Sequence, residues 1–241
     1  MKKIVFHILI ATILLAGCKQ EITSTLYVRD ITEVISNKKP LKSSATIKLE
    51  MLTDQSCRKK EESITKIISA FFMKLEKTQC IKEGSDTYYY AVFDLPVLLI
   101  SGSKVNDNYK GGVSVQLSKK EDNRTEIFLT MNLELLSTLD NSLRSEFMGS
   151  GGISPSGMQI KIKINNDDRE TYRLYTEGSF LDGEAIISRF GKEVELQKRD
   201  ESIIMLSDVS VSALLGRGTT SFTYVGSVMP IESEKTQPKK K

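Results

Sequence analysis

Between Cys57 and Cys80 the chain reads CRKKEESITKIISAFFMKLEKTQC. Ile64, Ile67, Ile68, Phe71, Phe72 and Leu75 recur at helical spacing, which predicts a helix here. Twenty helical residues hold their ends about 30 Å apart, whereas a disulfide joins Cα atoms about 5–6 Å apart. One long helix and a Cys57–Cys80 bridge therefore exclude each other. If the two cysteines pair, the helix stops near Phe71 and MKLEKTQCI returns as a strand. It then turns at KEGSD, where Gly84, Ser85 and Asp86 supply turn chemistry, and pairs with TYYYAVF. Eight extended residues cover roughly 27 Å, enough for the return.

Whether they pair depends on the compartment, and the N-terminus addresses that. Lys2 and Lys3 precede the apolar run IVFHILIATILL, and the small residues Ala16 and Gly17 lead directly into Cys18. A basic tip, a short apolar stretch and a small-residue cleavage site describe a secretory signal peptide over residues 1–17. The run is short of the roughly 20 apolar residues that span a bilayer.

Leu15-Ala16-Gly17-Cys18 resembles the lipobox of bacterial lipoprotein precursors. That resemblance implies a diacylglycerol on the Cys18 thiol, cleavage before it and acylation of the new amine, and hence a palmitate-type membrane anchor. Two or three acyl chains hold a protein on a membrane stably. Lys19, rather than Asp, follows the cysteine; in lipoproteins of the enteric type this implies sorting to the outer membrane. With Cys18 lipidated, only Cys57 and Cys80 remain, and an oxidising compartment favours their disulfide. Cys18-Lys19, the Thr/Ser-rich strand after it and the strand leading to Cys57 are also similar to small uncharacterised envelope lipoproteins of phages and mobile elements. That similarity spans about residues 18–100 and implies no activity.

Composition narrows the chemistry. Cleavage removes Lys2 and Lys3 from 34 basic residues set against 31 acidic ones, leaving a nearly neutral chain. It lacks the basic footprint of nucleic-acid binders. The lone histidine is His7, inside the leader. A mature chain without imidazole excludes Ser-His-Asp and Cys-His catalysis and histidine-ligated zinc, iron or copper. No cofactor or metal is expected.

Alternation predicts strands in EITSTLYV and ATIKLEML, with SNKKP as a loop between them. GVSVQLS and TEIFLTMNL flank the turn KKEDNR as a hairpin, and Leu135, Leu136, Leu139, Leu143 and Phe147 mark a second helix. GSGGISPSG, residues 149–157, reads as a linker. MQIKIKI, TYRLYTE, EVELQ, SIIMLS and TSFTYVGSV follow as strands, and residues 231–241 read as a disordered polar, basic tail. The expected class is α+β: a mostly antiparallel sheet with two amphipathic helices over residues 18–148, then a strand-rich part over 158–230. The second part either stands alone or completes the first sheet.

Local motifs for chemistry are weak. Ser-x-x-Lys occurs at Ser36/Lys39, Ser56/Lys59, Ser63/Lys66 and Ser101/Lys104, near the chance number for so much serine and lysine, and without Ser-Asp-Asn or Lys-Thr-Gly partners. GSGGISPSG lacks the GK[ST] of a phosphate loop. Asn165–Asp168, NNDD, lacks EF-hand spacing and reads as a hairpin turn between two alternating segments. Tyr88, Tyr89, Tyr90 and Phe93 place alternate rings on opposite faces of a strand, one for the core and one free to bind sugar, peptide or lipid.

The reading is a lipid-anchored, periplasm-facing envelope protein, not an enzyme, that acts as a binding or structural accessory with a membrane and an envelope protein as partners. A mobile-element exclusion lipoprotein and a wall- or lipid-acting hydrolase using carboxylates or a Ser-Lys pair are the alternatives.

Overall fold

The computed structural model describes residues 19–100, 111–121, 124–148, 152–186 and 191–227. Residues 1–17 of the expected leader, Cys18, the Ser101/Lys104 pair, residues 149–151 of the expected linker and the expected tail at 231–241 lie outside the described residues. The elements, in chain order, begin with β1 (Gln20–Tyr27), α1 (Val28–Asn37), β2 (Leu41–Met51), α2 (Asp54–Ser69), β3 (Met73–Glu83) and β4 (Asp86–Leu99). They continue with β5 (Val113–Lys119), β6 (Thr125–Met131), α3 (Leu133–Glu146), β7 (Met158–Asn165), β8 (Tyr172–Thr176), β9 (Ser179–Leu181) and β10 (Glu184–Ala185). Last come β11 (Lys192–Leu196), β12 (Glu201–Leu206), α4 (Asp208–Arg217) and β13 (Thr219–Ser227).

Helix α2 stops where the cysteine geometry requires. Thr53 and Ser56 cap its start reciprocally: each side-chain oxygen accepts from the other's backbone N–H at 3.1 Å. After Ser69 the chain turns, and buried Phe72 packs on Phe93 with ring centroids 4.4 Å apart. Strand β3 then runs back along β4, with Cys80 opposite Tyr89. Cys57 and Cys80 are joined as a disulfide, their Cα atoms 6.0 Å apart. Tyr89 is fully buried beneath α2, its hydroxyl 2.8 Å from Thr65 Oγ1.

All thirteen described strands belong to one sheet. Its path is β10-β9-β12-β7-β1-β2-β4-β5-β6-β13-β8-β11, with β3 added on the edge of β4 that β5 continues. β1 lies between β2, antiparallel, and β7, parallel, so strands from before and after the linker interleave.

Link lengths force this sheet to curl. β8 and β9 stand nine places apart in the path, about 43 Å in a flat sheet at 4.8 Å per strand. Only Glu177 and Gly178 connect them, and three Cα steps reach at most about 11 Å. The two flanks of the path must therefore meet, giving a half-barrel. Asn166 ties the meeting point. It is fully buried, and its Nδ2 donates to Glu170 O and Leu196 O, both at 2.8 Å. Its Oδ1 accepts from Asp168 N, and its backbone bonds Arg199 and Asp200 in the β11–β12 link. The concave side holds Ile22, Leu26, Ile47, Phe93, Leu129, Ile160, Ile162 and Ile204 in the core, with α4 packed across β6, β7, β12 and β13.

The α+β expectation is corrected. The protein is strand-dominated, one curled sheet with four described helices instead of two. The additional helices, α1 and α4, are short and rich in β-branched or serine residues of low helix propensity. Tertiary burial of Val28, Ile31 and Val34, and of Val211 and Leu214, decides their state. Ser207 caps α4, and Gly218 ends it in the left-handed region at φ 76°. NNDD is not a hairpin turn: β7 pairs β1 and β12, whereas β8 pairs β11 and β13.

Two outcomes follow for stability. Mass spectrometry of unfolded, non-reduced protein is expected to find no alkylated thiol at Cys57 or Cys80. Replacing both by Ala should cost about 3 kcal/mol in denaturant unfolding, given the separation of 23 residues. Asn166→Ala is expected to cost about 2–3 kcal/mol, since three side-chain hydrogen bonds of roughly 1 kcal/mol each are lost. A urea midpoint equal to the parent's would show that the short links alone hold the curl.

Candidate functional site

A broad hollow lies at the far end of the sheet, away from residue 19. It is an open cleft of about 970 Å³, lined among others by Lys119, Lys120, Arg124, Tyr175, Glu177 and Tyr224. β5 runs parallel to β4 and delivers Lys119 to this end, and the turn closes by a 2.8 Å bond from Lys120 N to Arg124 O. Tyr175 on β8 and Tyr224 on β13 are direct cross-strand partners, with ring centroids 6.0 Å apart. The Arg124 guanidinium lies 5.5 Å from the Tyr224 ring centroid, a cation–π arrangement. At Gly191, φ 54°, a Cβ would sit 2.3 Å from the Tyr175 hydroxyl, so glycine lets the chain pass close beside this ring.

Glu126 is buried beneath the lining and joined to two of its residues, Lys120 and Tyr224. Burial disfavours its charged form, but the Lys120 ammonium and the Ser221 and Tyr224 hydroxyls outweigh that, holding its carboxyl below the usual range. Lys120 and Glu126 are ion-paired, and Tyr224 OH donates to Glu126 Oε1 at 2.9 Å. Tyr224 is pushed up, first by burial and then by this carboxylate. The cleft therefore presents two phenol faces and a rim of both charge signs, an arrangement for holding a polar ligand with flat apolar faces.

The sequence-predicted residues fall elsewhere. Cys57 and Cys80 brace α2 against β3, and Cys18 lies outside the described residues. The Ser56 hydroxyl donates to Thr53 O at 2.8 Å and the Ser63 hydroxyl to Lys60 O at 2.9 Å, so both serve the backbone of α2. Asp167 accepts from Arg29 N, and Asp168 accepts from Arg169 N and Tyr172 OH. These carboxylates hold the loop together. Among the described residues no cluster of three His, Cys, Asp or Glu could hold a metal. Tyr89 and Phe93 are core, while Tyr88 and Tyr90 stand half-buried on the convex face. Tyr175 and Tyr224 escaped sequence reasoning because they are distant in the chain; only the β8–β13 register unites them.

The sequence matches the family described as Domain of unknown function (DUF7424) over residues 20–235, and the chain belongs to that family. No curated protein and no solved structure matches it.

The depressed Glu126 carboxyl has a pH signature. Its stabilisation is present above the unfolded value of about 4.3 and is lost as pH falls through the lower folded value. Thermal unfolding from pH 7 to about pH 3 should show Glu126→Gln less stable at neutrality, with the gap to the parent closing on acidification. A gap independent of pH would refute the assignment.

Proposed function

We propose that this DUF7424 member is a lipid-anchored envelope protein, tethered through Cys18 and facing the periplasm, that acts by binding and not by bond-making catalysis. The observation that carries the reading is Leu15-Ala16-Gly17-Cys18 at the end of a short apolar run. It resembles a lipobox, and Lys19 favours the outer membrane. No described helix is long and apolar enough to cross a membrane, so in this reading the acyl chains supply the attachment. The binding half draws support from the tyrosine-lined cleft at the end of the sheet remote from the anchor. A chain whose only imidazole sits in its leader, and whose Ser56 and Ser63 hydroxyls serve the backbone, is better equipped to hold a ligand than to cleave one.

Metabolic labelling with a palmitate analogue tests the anchor. The parent should take up label and sediment with membranes, and Cys18→Ser should do neither fully: no label, with either uncut precursor or released protein. Undiminished label in Cys18→Ser would overturn the proposal. Lys19→Asp should move the labelled protein towards the inner-membrane fraction; unchanged fractionation would remove the outer-membrane assignment alone.

A further inference from the structure

The first described residue is already tied into the sheet. Lys19 N donates to Glu50 Oε2 at 3.0 Å, Glu50 N donates to Lys19 O at 2.9 Å, and Gln20 already stands in β1. Covalent geometry keeps the preceding residue within about 3.8 Å of Lys19, Cα to Cα. Acyl chains on Cys18 would therefore hold this end of the sheet against the lipid headgroups with no flexible spacer.

The same end carries the most exposed large apolar side chains among the described residues: Leu52 and Met148 at 95 % and Val209 at 79 %, against 42 % for the next. Their placement follows from the topology. β2 runs back towards Lys19, so Leu52 leaves the sheet beside it. β12 runs antiparallel to β7, whose first residue pairs with Gln20, so Val209 emerges at this end as well. Met148 follows α3, whose Glu146 pairs with Lys60 at 3.2 Å, and stands four residues before Gly152, whose carbonyl accepts from Gln20 Nε2. Exposed apolar residues scattered singly need no explanation. Three of the most exposed, gathered where the anchor would attach, do. Charges nearby have both signs, with Arg58 paired to Asp54 at 2.9 Å, so apolar insertion rather than a basic patch is the available contact.

We propose that this end of the sheet rests on the bilayer, with Leu52, Met148 and Val209 entering the lipid. The proposal rests on the Cys18 anchor and adds an orientation: the tyrosine-lined cleft points away from the membrane.

Nitroxide labels on Leu52→Cys, Met148→Cys or Val209→Cys of the lipidated full chain test it, in vesicles of phosphatidylethanolamine and phosphatidylglycerol. Lys39→Cys, exposed in the α1–β2 loop at the far end, is the reference. Accessibility to oxygen relative to a water-soluble nickel chelate should rise several-fold at the three sites over Lys39. Equal values in vesicle-bound, acylated protein would overturn the orientation and leave the anchor standing. Labels shielded in cells but not in pure lipid would overturn it in favour of a protein cover. A chain that neither carries acyl groups nor floats with vesicles would remove the anchor, and this proposal with it.

Discussion

Two residues, Glu177 and Gly178, join strands that occupy opposite flanks of a twelve-strand path. No flat sheet tolerates so short a link, so the path curls, and the rest follows from the curl. A concave side comes into being for α4 to fill, and the loop of Asn166 meets the β11–β12 link. Asn166 can then be buried at little cost because its own loop offers Glu170 O as an acceptor and closure adds Leu196 O.

A second constraint acts at the opposite flank of β4. Its long edge is divided between β3, antiparallel, and β5, parallel. β3 is held from behind by the Cys57–Cys80 bridge to α2. Helix, bridge and hairpin thus form one braced unit that covers Tyr89 and Phe93, so the core beneath α2 does not depend on sheet pairing alone.

Local elements were largely legible in the sequence. Period-two alternation marked β1, β2, β5, β7 and β13, and the cysteine geometry located the turn between α2 and β3. Illegible parts were those decided at long range. In α1, Val28, Ile31 and Val34 do lie at helical spacing, but a ten-residue helix with β-branched residues is weak until buried. The parallel β1–β7 pairing has no local signature, since parallel partners need a long crossover between them. The alternation on both sides of NNDD suited a hairpin, yet each strand found partners elsewhere. The cleft was hidden for the same reason, its two tyrosines lying on strands far apart in the chain.

The position of β1 has a consequence for how the molecule is made. Synthesis proceeds from the N-terminus, so the strand at the centre of the sheet is the first to exist. β2 follows soon and covers one of its edges, but the other edge is reserved for β7, at Met158–Asn165. For the time it takes to add well over a hundred residues, the nascent chain carries an open strand edge with Ile22 and Leu26 incompletely covered. Pairings of such sequence separation form slowly and leave sticky surface exposed meanwhile. The same strand that begins the fold is thus completed late, and an agent that shields nascent chains would have its longest task there.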